Sequence, residues 1–480
     1  MTTFLMTFRR FACGAALLST TACGSLFEQP YSRPDVVTPA HWSEGGQEQT
    51  EPLSPWWQRF DDPDLNALIT KALQRNNDLA AAAIKVRKAQ LEAGLAADKF
   101  IPALSAQVDV DGTKNFSSRT TSMNDTAAVT TSAMTGSLSY EVDLWGKLAR
   151  NLGAAQWEAE ATEEDRGNTA LSLVGTTASL YWKALYLKQR IEMSRQDIAY
   201  AEKTLALVRV QHKSGATSSL EILEAEESLK SQEASLNDYL QQQTENDNAL
   251  AILFDAPPKK LEIARQGLPT GELPTVEAGL PAQLLIRRPD LRAAELRLRE
   301  CLATVDATQA GYLPTLTLTG SLGSSGVSLP QILQNPVGTV GAGLTLPFLQ
   351  WNEMTLKVKS SQADYDKAVV NFRQTFYAAL GDVENALAAR RHYADQATKL
   401  ESAVRAAGGA ERLYEVRYRA GAATLQVWLD AQDKRRSLEE TLLENRLNRL
   451  INQVTLYQAL GGDTRSSMDE QAGATKDRQQ

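Results

Sequence analysis

The chain has 480 residues, of which 43% are apolar but only 7% aromatic, and its formal net charge is −8. With no Lys and Arg cluster forming a face, that balance excludes an electrostatic case for nucleic acid. A mean hydropathy of −0.32, with no apolar run of about 18 residues beyond the amino terminus, excludes a helical membrane span, while abundant Ala, Leu, Gln and Glu favour long helices.

Residues 1–22 read as an export signal: Arg9 and Arg10, the apolar stretch Phe11 to Leu18, then small residues through Ala22 to Cys23. The segment looks like a bacterial lipoprotein signal, whose cleavage leaves Cys23 as the lipidated first residue. A plain signal peptide with an incidental Cys is the alternative, since Thr20 stands where such signals usually carry Leu. Gly24 rather than Asp follows, which by that resemblance favours the outer membrane. Cys13 leaves with the signal, and Cys301, at an apolar helical position, is expected to be buried filler. Residues 23–60 are rich in Pro, Ser, Glu and Gly and read as an extended arm.

Repeat 1 covers 61–257. Asp61-Asp62-Pro63-Asp64 is a helix start, and Leu65, Leu68, Ile69, Ala72 and Leu73 recur at helical spacing. One helix is predicted from there to about Phe100, ending before Pro102. A strand pair follows at 103–112 and 134–144, where Leu104, Ala106, Val108 and Val110, then Leu138, Tyr140, Val142 and Leu144, alternate with polar residues. Asn115 to Ser132 is a polar loop between them. The span 146–214 has no interior Pro. Within it Leu180, Ala184, Leu187, Ile191, Ser194, Ile198, Ala201, Leu205 and Val208 step by four and three, the seam of a coiled coil. Such a helix is roughly 100 Å long at about 1.5 Å per residue. A return helix is predicted at 216–256 and a linker at 258–279.

Repeat 2 covers 280–461: a helix, strands 315–323 and 338–348, a long helix 352–420 and a return helix 422–460. The tail 462–480 is polar and predicted to be disordered. The two repeats align residue by residue. Asp78-Leu79 through Phe100-Ile101-Pro102 matches Asp290-Leu291 through Tyr312-Leu313-Pro314, 212 positions on. Trp145 matches Trp351, and Ser214-Gly215 matches Ala420-Gly421, 206 positions on. Glu224-Ala225 and Asp430-Ala431 sit nine positions beyond those glycines. Duplication of one helix, hairpin, helix unit is the dominant feature of the chain.

Four strands with one apolar face cannot stand alone in a bilayer, because each open edge leaves unpaired backbone groups in hydrocarbon. Other copies must pair the edges. The smallest membrane barrels have about eight strands, so at least two chains are needed, and three give twelve. A soluble β layer packed on helices is the alternative that periodicity leaves open.

The chain resembles the outer membrane factor family, the TolC-like ducts, and within it the lipoprotein branch serving resistance-nodulation-division pumps. The residues that carry this are Trp56-Trp57-Gln58-Arg59-Phe60 with Asp62-Pro63-Asp64-Leu65, Asn77-Asp78-Leu79, Arg288-Pro289-Asp290-Leu291, Tyr140-Glu141-Val142-Asp143-Leu144-Trp145-Gly146, and Tyr418-Arg419-Ala420-Gly421 with Leu429-Asp430-Ala431-Gln432. The implied fold is mainly α with a membrane β-barrel: a long α-helical coiled-coil barrel plus four strands per chain, twelve in a homotrimer, built on the internal repeat. The implied function is a passive efflux duct in the outer membrane, lipid-anchored and reaching into the periplasm, fed by an inner-membrane pump through a periplasmic adaptor. No cofactor is implied beyond the covalent lipid at Cys23.

By the same resemblance, Gly215 and Gly421 mark the periplasmic tips and adaptor contacts, and Tyr418 and Asp430 belong to a constriction; in repeat 1 Glu221 occupies a position that is acidic in some members, and Glu224 aligns with Asp430. Val427 stands where some members carry a second Asp, and Ala423 where some carry an Arg, so the closing network differs here. A solvated helix face is the plainer reading of these acids. His41, His212 and His392 lie far apart with no metal-ligand spacing, and no phosphate loop occurs, so catalysis has no basis. A protein-secretion duct and a pore-less coiled-coil lipoprotein are the remaining alternatives.

Overall fold

The computed structural model describes residues 30–43, 55–113, 129–260, 262–276, 278–327, 331 and 336–462. The signal segment, Cys23 and the tail from 463 lie outside them. In chain order the elements are α1 Pro63–Arg75, α2 Asn77–Asp98, β1 Ala103–Thr113, β2 Val129–Val142, α3 Lys147–Lys213, α4 Ser219–Leu253, α5 Leu284–Arg287, α6 Pro289–Gly311, β3 Thr315–Gly326, β4 Val337–Thr345, α7 Trp351–Arg419 and α8 Leu425–Ala459.

The single helix predicted from 61 to 100 is two. Asn76 is extended between α1 and α2, with its side-chain oxygen accepting from Leu79 N at 3.0 Å and its amide donating to Leu253 O at 3.2 Å. An Asn that caps the next helix cannot continue the previous one. Repeat 2 breaks at the aligned place, because Pro289 keeps Arg288 out of the helical region.

The strand boundaries also move. β1 to β3 run further into Gly, Ser and Thr-rich sequence than alternation indicated, since ladder pairs such as Ser132 with Gly326 need backbone only. β2 ends at Val142 rather than 144: Asp143 turns inward to accept from Leu148 N at 3.1 Å and Ala149 N at 2.9 Å, capping α3. β4 ends at Thr345 rather than 348, with Pro347 opening a short 3₁₀ turn.

The chain divides into two compact units. One holds the sheet and the helix segments 85–98, 147–162, 293–311 and 351–373. The sheet is antiparallel in the order β1-β2-β3-β4. Its register places Leu104 opposite Leu138, Leu138 opposite Gly320, and Leu316 opposite Leu344. Alternation then gathers Val108, Tyr140, Leu318 and Val340 on the same face, and Gln107, Ser137, Thr319 and Gly341 on the other. The apolar face is bare: Val340 is 93% and Leu104 81% exposed. Neither β1 nor β4 has a partner on its outer edge among the described residues.

In the same unit Arg33 reaches Glu295 at 2.6 Å, and the Arg299 guanidinium lies between the rings of Tyr31 and Trp157. Cys301 is half-buried rather than core, with its thiol pushed up to about 12, first by burial and then by Glu300.

The other unit, from the remaining helix lengths and the linker, has a conventional core. Trp56 is fully buried and stacks on Tyr457 at 4.9 Å and 18°, while Phe60 lies 5.5 Å from Trp182. Asp62 caps α1 through Leu65 N at 3.1 Å, and its buried carboxylate accepts from Tyr181 Oη at 2.9 Å and from Arg265 at 2.8 Å. Removing one partner of such a buried charge costs about 3–5 kcal/mol. Burial and the bond to Asp62 push the Tyr181 hydroxyl well above its usual range. The seam of α3 is buried at Ala184, Leu187, Ile191, Ser194, Ala201, Leu205 and Val208, and half-buried at Leu180 and Ile198. No helix among the described residues is long and apolar enough to cross a membrane.

Candidate functional site

Each long helix ends in the same turn. Gly215 has φ +75° and Gly421 φ +71°, the left-handed region that glycine enters without penalty. Ala216 N bonds Gln211 O and Gly215 N bonds His212 O, both at 2.9 Å; Ala422 N bonds Arg417 O at 2.8 Å and Gly421 N bonds Tyr418 O at 2.9 Å. Both are Schellman closures, which satisfy the last carbonyls of a helix.

The side chains then diverge. In repeat 1, Ser218 caps α4 through Leu220 N at 3.2 Å, and Glu221 reaches back to Ser218 N at 2.8 Å and to its hydroxyl, a reciprocal capping box. Chiefly because of the Ser218 hydroxyl, the Glu221 carboxyl is held below its usual range. The His212 ring Nδ1 lies 3.0 Å from Thr217 O. In repeat 2, Thr424 makes no side-chain cap and Val427 replaces the reaching Glu. There Tyr418 stacks on Trp428 at 5.2 Å and 28°, with Tyr200 edge-on to Trp428 at 6.4 Å. Tyr418 also donates to Gln211 Oε1 at 2.6 Å, tying the two turns together over a core of Leu205, Val208, Ala225, Leu229, Leu425 and Leu429.

The structure brings the predicted acids into one field. Glu224 on α4 is held above the usual carboxylate range, first by partial desolvation and then by Glu221 and Asp430. The Tyr418 hydroxyl is raised by burial and by the same two glutamates. Asp430 is exposed and accepts from Gln426 at 2.8 Å. Ala423 is half-buried and Val427 exposed, and neither offers a charge. Glu221 is committed to its cap, so Glu224 and Asp430 are the acids left to face solvent or a cation. No group of three or more His, Cys, Asp or Glu converges as a metal site among the described residues.

The sequence reading did not single out the ion cluster further along α8. Arg435 reaches Glu411 at 2.5 Å, Glu439 at 2.5 Å and Asp197 at 3.3 Å, joining α7, α8 and α3. Arg190 on α3 reaches Glu440 on α8 at 2.6 Å and Tyr239 on α4 at 2.5 Å. The available signal was Arg435 and Glu439 at helical spacing on the seam side; their partners on α3 and α7 are too distant in sequence to read.

Residues 68–254 and 280–462 match the outer membrane efflux protein family. The chain belongs to that family. The two matched segments are separated by residues 255–279. The outer membrane efflux proteins are channels, transport proteins rather than enzymes, and this chain is an outer membrane efflux channel. It is 31% identical over 484 residues to the pyoverdine export outer membrane protein OpmQ of Pseudomonas aeruginosa, covering 98% of this chain and 100% of that one. It is 27% identical over 460 residues to the probable outer membrane lipoprotein SilC of Salmonella typhimurium, covering 92% and 95%. The open state of the Neisseria gonorrhoeae MtrE outer membrane channel superposes with a TM-score of 0.77 at 26% identity, over 90% of this chain and 97% of that one.

Proposed function

We propose that three copies of this efflux channel close their sheets into one 12-stranded barrel, lipid-anchored at Cys23, continued by a coiled-coil tunnel of their helices. The duct is passive. Small molecules enter it from an inner-membrane resistance-nodulation-division pump through a periplasmic adaptor that engages the turns at Gly215 and Gly421. The observation that carries this reading is the bare apolar face of a sheet whose two outer edges have no partner among the described residues. In hydrocarbon each open backbone group costs several kcal/mol, and only closure removes the edges. The polar face, with Gln107, Ser137 and Thr319, then lines water.

At the turns, three copies of Asp430 near a threefold axis, flanked by Glu224, form an anionic collar that holds cations or shares protons. The test is reconstitution of the purified protein in planar bilayers with a count of its subunits. A trimer that conducts is expected, and Asp430→Ala should raise single-channel conductance or weaken cation block. A non-conducting monomer overturns the duct, and unchanged traces in the variant remove Asp430 from the constriction.

A further inference from the structure

We infer that α7 is hinged at Gly408–Gly409, level with a buried ionic belt that divides the helical core in two, so that the segment carrying both glycine turns loosens as one piece while the core beyond the belt stays packed.

The apolar core is interrupted at this level on all three helices that cross it. The larger cluster reaches Leu185 on α3, Leu387 on α7 and Leu443 on α8, and the cluster at the turns is bounded by Ala201, Tyr418 and Leu429 on the same helices. Between them Leu187 and Ile191 are buried, but so are Arg190 and Ser194 of α3, Glu411 of α7, and Gln432 and Arg436 of α8. Arg435 ties α8 to Glu411 and Asp197, and Arg190 ties α3 to Glu440. Buried ionic contacts of this kind hold less firmly than apolar packing of the same volume, because each charge has been taken out of water. The belt carries that cost visibly. Burial pushes the Asp197 carboxyl above its usual range although Arg435 and Arg436 lie beside it. Arg190 Nε, Ser194 Oγ and Gln432 Nε2 are buried and find no partner among the described residues.

Independently of the belt, the backbone of α7 is weakest at the same place. Gly408 and Gly409 are the only adjacent glycines inside a helix among the described residues. A methyl group at either would meet nothing within 4 Å, so no close approach within the chain calls for them. Each helical Gly leaves a helix less stable than Ala would, and such pairs are where helices bend. Between Ala397 and Glu411 no residue of α7 is buried, so side-chain packing does not hold the stretch straight either. The aligned residues of α3 are Glu202 and Lys203, both good helix formers. Only one of the two long helices therefore has the weak point, and it is the one whose turn depends on Tyr418 stacking on Trp428. The inference rests on the proposed duct and names its moving part: a bend in α7 changes how far apart the turns of neighbouring copies stand.

The test uses the full-length lipidated protein in its oligomer, in a Cys301→Ala background, with a spin label at Ala422→Cys beside the turn or at Lys399→Cys on the other side of the hinge. Distances between copies should spread more widely at 422 than at 399. Gly408→Ala with Gly409→Ala should narrow the spread at 422 and leave that at 399 unchanged, and should slow hydrogen exchange over 404–412 by roughly 5- to 30-fold, the effect of two such replacements. A trimer whose spread at 422 is unchanged by the double variant overturns the hinge and leaves the duct standing. Loss of the trimer in the double variant also overturns the hinge, because the glycines would then be a close contact between copies. A parent protein that is a monomer by native mass overturns the duct and this role with it. For the belt, Asp197→Leu, Glu411→Leu and Arg435→Met together should join the two cores and slow exchange over 413–419 and 425–431 several-fold, with 376–387 unaffected. Exchange at the turns as fast as in the parent would remove the belt as the divider.

Discussion

The two turns at the ends of the long helices share a backbone and differ in what holds it. At Gly215 the closure is polar, with His212 over Thr217 and the reciprocal pair Ser218 and Glu221. At Gly421 the aligned residues are Tyr418, Thr424 and Val427, and the closure is aromatic, Tyr418 on Trp428. The α4 start is held by local bonds that form with the helix itself. The α8 start is held by packing against α3 and the other turn, so it is secure only while those surfaces remain in contact. A duplicated unit has thus separated into one self-sufficient end and one that depends on its neighbours.

The largest effect expected from this contrast is at Trp428. Trp428→Ala should lower the opening free energy of the first turns of α8 by about 3–5 kcal/mol, as for other buried aromatics. Ile222→Ala, at the aligned half-buried position, should cost roughly 1–2 kcal/mol in α4. Hydrogen exchange resolved to these segments measures both, and equal losses would end the distinction. Gly215→Ala and Gly421→Ala should each cost about 1–2 kcal/mol, since both turns need the left-handed conformation and neither has a steric neighbour. A large difference between the two would mean that the backbones are not equivalent.

Smaller again, Ser218→Ala should cost about 1 kcal/mol in α4, the usual value of a lost cap, while Thr424→Ala should be close to silent because its side chain caps nothing. The pH dependence is the finest probe. The Glu221 carboxyl is depressed by its bond to Ser218, so its contribution is present above the ordinary carboxylate value and is lost as pH falls through the depressed one. Protection of the first turn of α4 should therefore fall on acidification, and Glu221→Gln should flatten that dependence. The first turn of α8, with Val427 in that place, should show no matching acid loss.

Much of this was legible in the residues because the repeat doubles each signal. The paired hairpins, both long helices and both glycine turns follow from period and alignment. The break at Asn76 was not legible from the apolar spacing, which continues across it; its side-chain oxygen caps α2 through Leu79 N while its amide bonds Leu253 O, 177 positions away. Glu221 shows a different limit. Ser218-Ser219-Leu220-Glu221 is a capping-box pattern, yet resemblance to family members acidic at that position drew the residue into the constriction group, and only geometry shows its carboxylate occupied. Trp428 and Gln211 were missed for a simpler reason: their importance lies in what they touch, Tyr418, and the contact of Gln211 with it spans 207 positions.

The stacking of Trp56 on Tyr457 has a consequence for how the molecule matures. Tyr457 stands near the end of α8, and just beyond it Gly462 lies so close to the Trp56 ring that even a methyl group there would meet Cδ1 at 2.6 Å. A chain exported amino terminus first therefore delivers Trp56 long before the ring that stacks on it. Phe60 can meet Trp182 on α3 earlier, but the Trp56 face must wait for α8, and a product truncated ahead of Tyr457 would leave that face uncovered.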